Sequence, residues 1–143
     1  MPELQHPKPF ASWETRAYWE GCGRHELVLQ RCRQCKTVQH RPRAVCAGCL
    51  GNDIEHFAAS GRGSVYTYTI THQNGVPPFR DALPYVLAYV DLEEGPRLMT
   101  NIIGCEPDQV EIGMAVVVDF QDVDAGDHGE AGVALAVPRF RPA

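Results

Sequence analysis

Cys32, Cys35, Cys46 and Cys49 form two Cys-x-x-Cys pairs with ten residues between them, CRQCKTVQHRPRAVCAGC. Two residues between thiols let both sulfurs of a tight turn face one ion. Two such turns supply the four soft ligands of a tetrahedral structural zinc site. The ligand span is eighteen residues, too short to bury a core of its own, so ligation would be most of what folds it. Zinc is the favoured reading; iron in the same cage, two disulfides and metal-free thiols are the alternatives.

Other groups capable of chemistry stand alone. Cys22 and Cys105 are tied to no histidine by any motif, and neither a G-x-S-x-G elbow nor an H-E-x-x-H motif is present. Both cysteines read as small buried residues rather than nucleophiles. The six histidines are scattered along the chain. His40 lies inside the ribbon, but four cysteines already fill the metal shell, so it reads as solvent-facing.

The elements that must position these residues follow from composition and periodicity. At 143 residues and 44% hydrophobic, the chain suits one compact domain with a small appendage. The first twenty residues are polar and broken by proline, without a signal-peptide pattern, and no apolar run is long enough to span a membrane. Together with the cysteine pattern, this gives a cytoplasmic expectation. Net charge is −5, unevenly spread. Residues 27–52 hold Arg31, Arg33, Lys36, Arg41 and Arg43 and no acid, part of which would offset an anionic thiolate cage. Residues 98–138 hold eight acids and no Lys or Arg, a poor match for a groove that follows phosphates.

Residues 1–9 read as an extended arm. A short helix is expected over 12–21, N-capped by Ser12, with Phe10, Trp13, Ala17 and Gly21 on its apolar face. That face packs on the chain's own barrel or docks on another chain; Trp and Tyr suit either. A strand over 25–33 leads into the first cysteine turn. Strands follow over 65–72, 85–92, 97–104, 114–123 and 132–140, the last ended by Pro138 and preceded by an acidic loop over 124–130. In 65–72, strict alternation puts Tyr66, Tyr68 and Ile70 on one side. The expected fold is mainly β: a short N-terminal helix, a four-cysteine zinc ribbon, then a five-stranded OB-fold barrel, with a small sandwich as runner-up. The expected divisions are 1–26 (arm and aromatic helix), 27–52 (ribbon) and 53–143 (barrel).

Ribbon and barrel in this order resemble the acyl-CoA-associated OB-fold proteins with a rubredoxin-like zinc ribbon, long catalogued as a domain of unknown function. The resemblance runs from WETRAYWEG through LVLQRCRQCKTVQHRPRAVCAGC, GRGSVYTYTITHQ, PYVLAYVDLEEGPRLMTNIIG and VEIGMAVVVDF to PRFRP. It implies a non-catalytic subunit that forms a hetero-oligomer with a thiolase-like or lipid-transfer-protein-like enzyme acting on acyl-CoA thioesters. Retro-aldol cleavage of steroid side-chain CoA thioesters is one such reaction. In some relatives the module is fused to a hydratase domain.

The resemblance also implies a CoA thioester as ligand. Phe79 and Arg80, at the tip of the loop over 74–84, would offer an aromatic face to adenine and a cation to phosphate. An ordinary exposed loop, or one that docks into the partner, fits the same residues. A stand-alone acyl-CoA-binding module is the first alternative function. A single-stranded nucleic-acid binder, with Tyr66 and Tyr68 as stacking platforms, is the second.

Overall fold

The computed structural model describes residues 11–123 and 135–143. The arm over 1–9, Phe10, the acidic loop and the start of the last strand lie outside the described residues. The helix α1 spans Arg16–Gly23, after a turn in which Thr15 N–H donates to the Ser12 carbonyl at 3.1 Å. It therefore begins later than the Ser12 cap implied. Its buried face is also rotated from the expected one, carrying Tyr18, Gly21 and Cys22 while Trp13 stays 78% exposed. Gly21 is common to both faces: a Cβ there would lie 2.4 Å from Val28 Cγ2, so only glycine lets the helix approach this closely.

The ribbon is a three-stranded antiparallel sheet in the order β2-β1-β3, with β1 Val28–Cys32, β2 Val38–Gln39 and β3 Ile54–Ala58. Strand β3 was not anticipated because neither side of IEHFA is uniformly apolar. Its role is partly electrostatic. Arg33 pairs with Asp53 at 2.9 Å and with Glu55 at 3.4 Å, and Arg31 lies 4.0 Å from the Phe57 ring centroid. These two ribbon cations are thus held by neighbouring acids and an aromatic ring.

The remaining strands are β4 Arg62–Thr71, β5 Tyr85–Leu92, β6 Arg97–Ile102, β7 Ala115–Val123 and β8 Leu135–Pro142. They close into a barrel in the order β4-β5-β6-β8-β7. Every pairing is antiparallel except β6 with β8, which is parallel and limited to Ile102 opposite Phe140. This is a five-stranded OB-type barrel.

Three local expectations change. Strand β4 starts before residue 65, and Gly63 lies within it, where a Cβ would meet the Asp91 carbonyl oxygen at 2.4 Å. A bulge between Val65 and Thr67 breaks the strict alternation. Val65 turns inward, Tyr66 is left outside beneath the Arg97 guanidinium at 3.3 Å, and Tyr68 packs on the core. Pro138 does not end β8 but lies inside it. Its carbonyl accepts from Thr100 Oγ1 at 3.4 Å, so its N–H-less edge faces the β6 side, where no ladder runs. One continuous core joins all parts: Tyr18 and Cys22 of α1 and Leu29 of β1 pack with Val65, Val90 and Phe140 of the barrel.

Candidate functional site

The two cysteine turns have matching backbones. Lys36 N–H donates to the Cys32 carbonyl at 2.9 Å, and Leu50 N–H to the Cys46 carbonyl at 3.0 Å. Lys36 and Leu50, each next after the second cysteine of its pair, both adopt left-handed backbone with φ of 67° and 62°. Non-glycine residues reach that region at some cost, so both turns hold the same strained shape around their sulfurs.

All four sulfurs lie within 4.8 Å of one another. Cys32 and Cys49 Sγ are 3.7 Å apart and Cys35 and Cys46 Sγ 3.4 Å. A zinc–sulfur bond of about 2.3 Å gives tetrahedral edges near 3.8 Å, whereas a disulfide is about 2.05 Å. The spacing fits a zinc tetrathiolate and excludes the two-disulfide reading. Backbone N–H groups of Cys35 and Gly48 point at Cys32 Sγ (3.5 Å) and Cys46 Sγ (3.2 Å). Thr37 Oγ1 is 3.1 Å from Cys35 Sγ, and its hydrogen bond is the chief cause that draws this thiol down to about 6. These donors favour thiolate, the form a metal needs. Four thiolates would complete the shell of a structural zinc, leaving no position for substrate.

Two glutamines that sequence reasoning passed over hold the segment between the turns. Buried Gln30 accepts from Arg43 N–H at 2.9 Å and donates to the Arg43 carbonyl at 2.9 Å. Gln39 donates to Gln30 Oε1 at 2.8 Å and accepts from Ala47 N–H at 2.8 Å. Amides in a cysteine-rich ribbon give no periodic signal, so their role emerges only in three dimensions.

Beside the ribbon, β6 and β8 diverge on one side of their single bridge and leave a cavity of about 390 Å³. Helix α1 contributes Tyr18 and Trp19, the ribbon His40 and Arg41, and the loop before β5 Phe79. Arg139 of β8 adds to a polar lining that also includes Asn74, Thr100 and Asn101. Phe79 therefore faces this cavity, with its ring 5.9 Å from that of Tyr85. Arg80 is not among the lining residues and sits at the surface with its Nε 3.7 Å from Asp81 Oδ1.

His40 is not solvent-facing. Its ring lies 5.2 Å from Tyr18, lines the cavity, and leaves Nδ1 buried without a partner. Burial, helped by the Arg41 charge, lowers it to about 4 from an ordinary 6.5. Between these two values the unfolded chain takes up a proton that the native chain refuses. The stability tied to neutral His40 is thus complete above pH 6.5 and is lost as pH falls towards 4. Its size is at most about 3 kcal/mol. Urea unfolding of His40→Phe between pH 7 and 4.5 is expected to show a shallower acid loss than the parent chain. Parallel curves would contradict the burial argument.

Neither free cysteine is primed for catalysis. Cys22 is fully buried, and desolvation pushes it up to about 12 despite its hydrogen bond with Tyr18. Cys105 is half-buried and raised by desolvation, then by the charges of Glu106 and Asp108.

Comparison with known proteins agrees with this architecture. The family described as "ChsH2, rubredoxin-like zinc ribbon domain" matches residues 19–55, and "ChsH2, C-terminal OB-fold domain" matches 57–121. A DUF35 domain-containing scaffold protein of Methanocaldococcus jannaschii is 37% identical over 122 residues, 83% of each chain. The chain belongs to the DUF35 family. Among solved structures, the "Ltp2-ChsH2(DUF35) aldolase" contains a chain 38% identical to this DUF35 protein, with a TM-score of 0.78. That match covers 94% of this chain and 98% of the other. A probable enoyl-CoA hydratase alpha subunit of Thermomonospora curvata is 39% identical over 142 residues. The match takes in 99% of this chain but 41% of the hydratase subunit, so this DUF35 chain spans about two-fifths of that relative. The benzoylsuccinyl-CoA thiolase subunit BbsA of Thauera aromatica is 28% identical over 117 residues, 78% of this chain and 72% of that one. Among the described residues, no helix is long and apolar enough to cross a membrane.

Proposed function

We propose that this chain is a non-catalytic, zinc-containing accessory subunit of a thiolase-like or lipid-transfer-protein-like enzyme that acts on acyl-CoA thioesters. The observation that carries this reading is the match, over nearly the whole of both chains, to the DUF35 component of an aldolase. The names of the hydratase and thiolase subunits point to the same substrate class. The chain's own chemistry agrees with a supporting role, since a four-thiolate cage is closed to substrate and both remaining thiols are raised. Exposed Trp13, Leu50, Tyr66, Tyr89 and Met99 offer apolar area for a partner.

In this reading the subunit stabilises the enzyme and completes or covers its CoA-thioester channel. Phe79 at the cavity and Arg80 on the same loop are the proposed CoA contacts. Retro-aldol cleavage of a bulky thioester such as a steroid side chain is the favoured partner reaction. The nucleic-acid alternative loses support because Tyr68 is turned to the core and Arg97, over Tyr66, is bound to Asp91 at 2.6 Å. Expressing a thiolase-like or lipid-transfer-protein-like enzyme encoded beside this chain, with and without it, tests the proposal. Soluble, active enzyme is expected only from the pair. Full activity of the enzyme alone would end the reading.

A further inference from the structure

Arg139 is 1% exposed, yet no carboxylate pairs with it among the described residues. Its Nε donates to Gln121 Oε1 at 2.8 Å, and its Nη1 donates to Asn101 Oδ1. Both acceptors are neutral amides, and Nη2 has no partner. Burial lowers the guanidinium to about 10, so it keeps its charge at neutral pH. A buried cation without a counterion is costly, and native interiors seldom retain one without use.

A second buried polar atom without a partner, His40 Nδ1, belongs to a residue lining the same cavity. As the Nδ1–H tautomer it is a further donor. Trp19, Phe79, Leu87, Met99 and Val137 make much of the remaining wall apolar. The volume of about 390 Å³ is at the small end of ligand sites, roughly 300–1,000 Å³. Such a wall matches a compact molecule with a greasy body and one anionic oxygen group.

We propose that the cavity at the β6–β8 seam binds a compact amphipathic carboxylic acid, its carboxylate on Arg139 and His40 and its apolar body against Trp19, Phe79 and Met99. The site joins helix, ribbon and barrel, so its occupant would tie the three together. It does not depend on the accessory-subunit reading, because isolated chain suffices to test it.

The test is titration of the full chain with 3-phenylpropionate, 3-phenylpropionamide and inorganic phosphate, followed by calorimetry and by tryptophan fluorescence. The acid is expected to bind at least about tenfold more tightly than the amide or phosphate. Arg139→Gln is expected to abolish that preference while leaving the melting temperature equal or higher, since it removes a buried charge that no carboxylate pairs with among the described residues. Equal binding of acid and amide, or no binding of the acid at millimolar concentration, would overturn the proposal. That comparison is made on the unaltered chain, so it stands even if the variant misfolds. Phosphate binding as tight as the acid would refute the apolar half of the site.

Discussion

Cys46→Ser is expected to release the metal and unfold the ribbon while the barrel persists. Cys46 is fully buried, its sulfur is 3.4 Å from that of Cys35, and its carbonyl anchors the second turn through Leu50 N–H. Serine oxygen is a harder and weaker zinc ligand than thiolate. Structural zinc contributes on the order of 10–16 kcal/mol in zinc-finger peptides at neutral pH, and the ribbon has no other source of that size. Leu29 of strand β1 and Leu27 just before it do belong to the common core, so the loss should reach α1. The barrel ladders, by contrast, run only among β4 to β8. Elemental analysis should fall from one zinc per chain towards none, and amide exchange should speed up across 28–58 but not in β5 and β6. Unchanged zinc content or unchanged protection would contradict this account.

Phe140→Ala should have the second largest effect, and it acts on the barrel. Phe140 is fully buried, and its carbonyl accepts from Ile103 N–H at 2.8 Å beside the lone bridge that joins β6 to β8. Truncating a buried phenylalanine costs about 3–5 kcal/mol, and little else on this seam can absorb the loss. For a chain of this size that corresponds to a fall in melting temperature of roughly 10–17 °C. Tyr89→Ala, on the exposed face of β5, is the control and should change stability by less than about 1 kcal/mol. Comparable melting temperatures for the two variants would show that the seam is not what closes the barrel.

Much of this architecture was legible because its signals are local. Cysteine spacing specifies ligand geometry, and the apolar runs at 85–92 and 114–123 read directly as strands. The misreadings share a different cause, since each depended on a neighbour far away in sequence. Pro138 looked like a strand terminator because nothing nearby shows that its N–H edge faces a gap in the ladder. The alternation of Tyr66 and Tyr68 was broken by a bulge set by pairing with β5. His40 looked exposed because its cover, Tyr18, sits on the helix before the ribbon. Arg139 gave no signal at all: in PRFRP it resembles any surface arginine, and its burial arises only once helix and ribbon cover the seam.

These buried polar groups also divide the molecule's tasks. The four-cysteine cage shapes the ribbon, the ribbon and α1 roof the barrel, and the exposed aromatics remain for contact with another chain. Function on this account resides in an assembly, so the decisive measurement is the native mass of the chain co-expressed with a neighbouring thiolase-like or lipid-transfer-protein-like enzyme. The account predicts a single stable species containing both chains, with one zinc for each copy of this chain. Separate elution of the two proteins, each folded and the enzyme fully active, would contradict it.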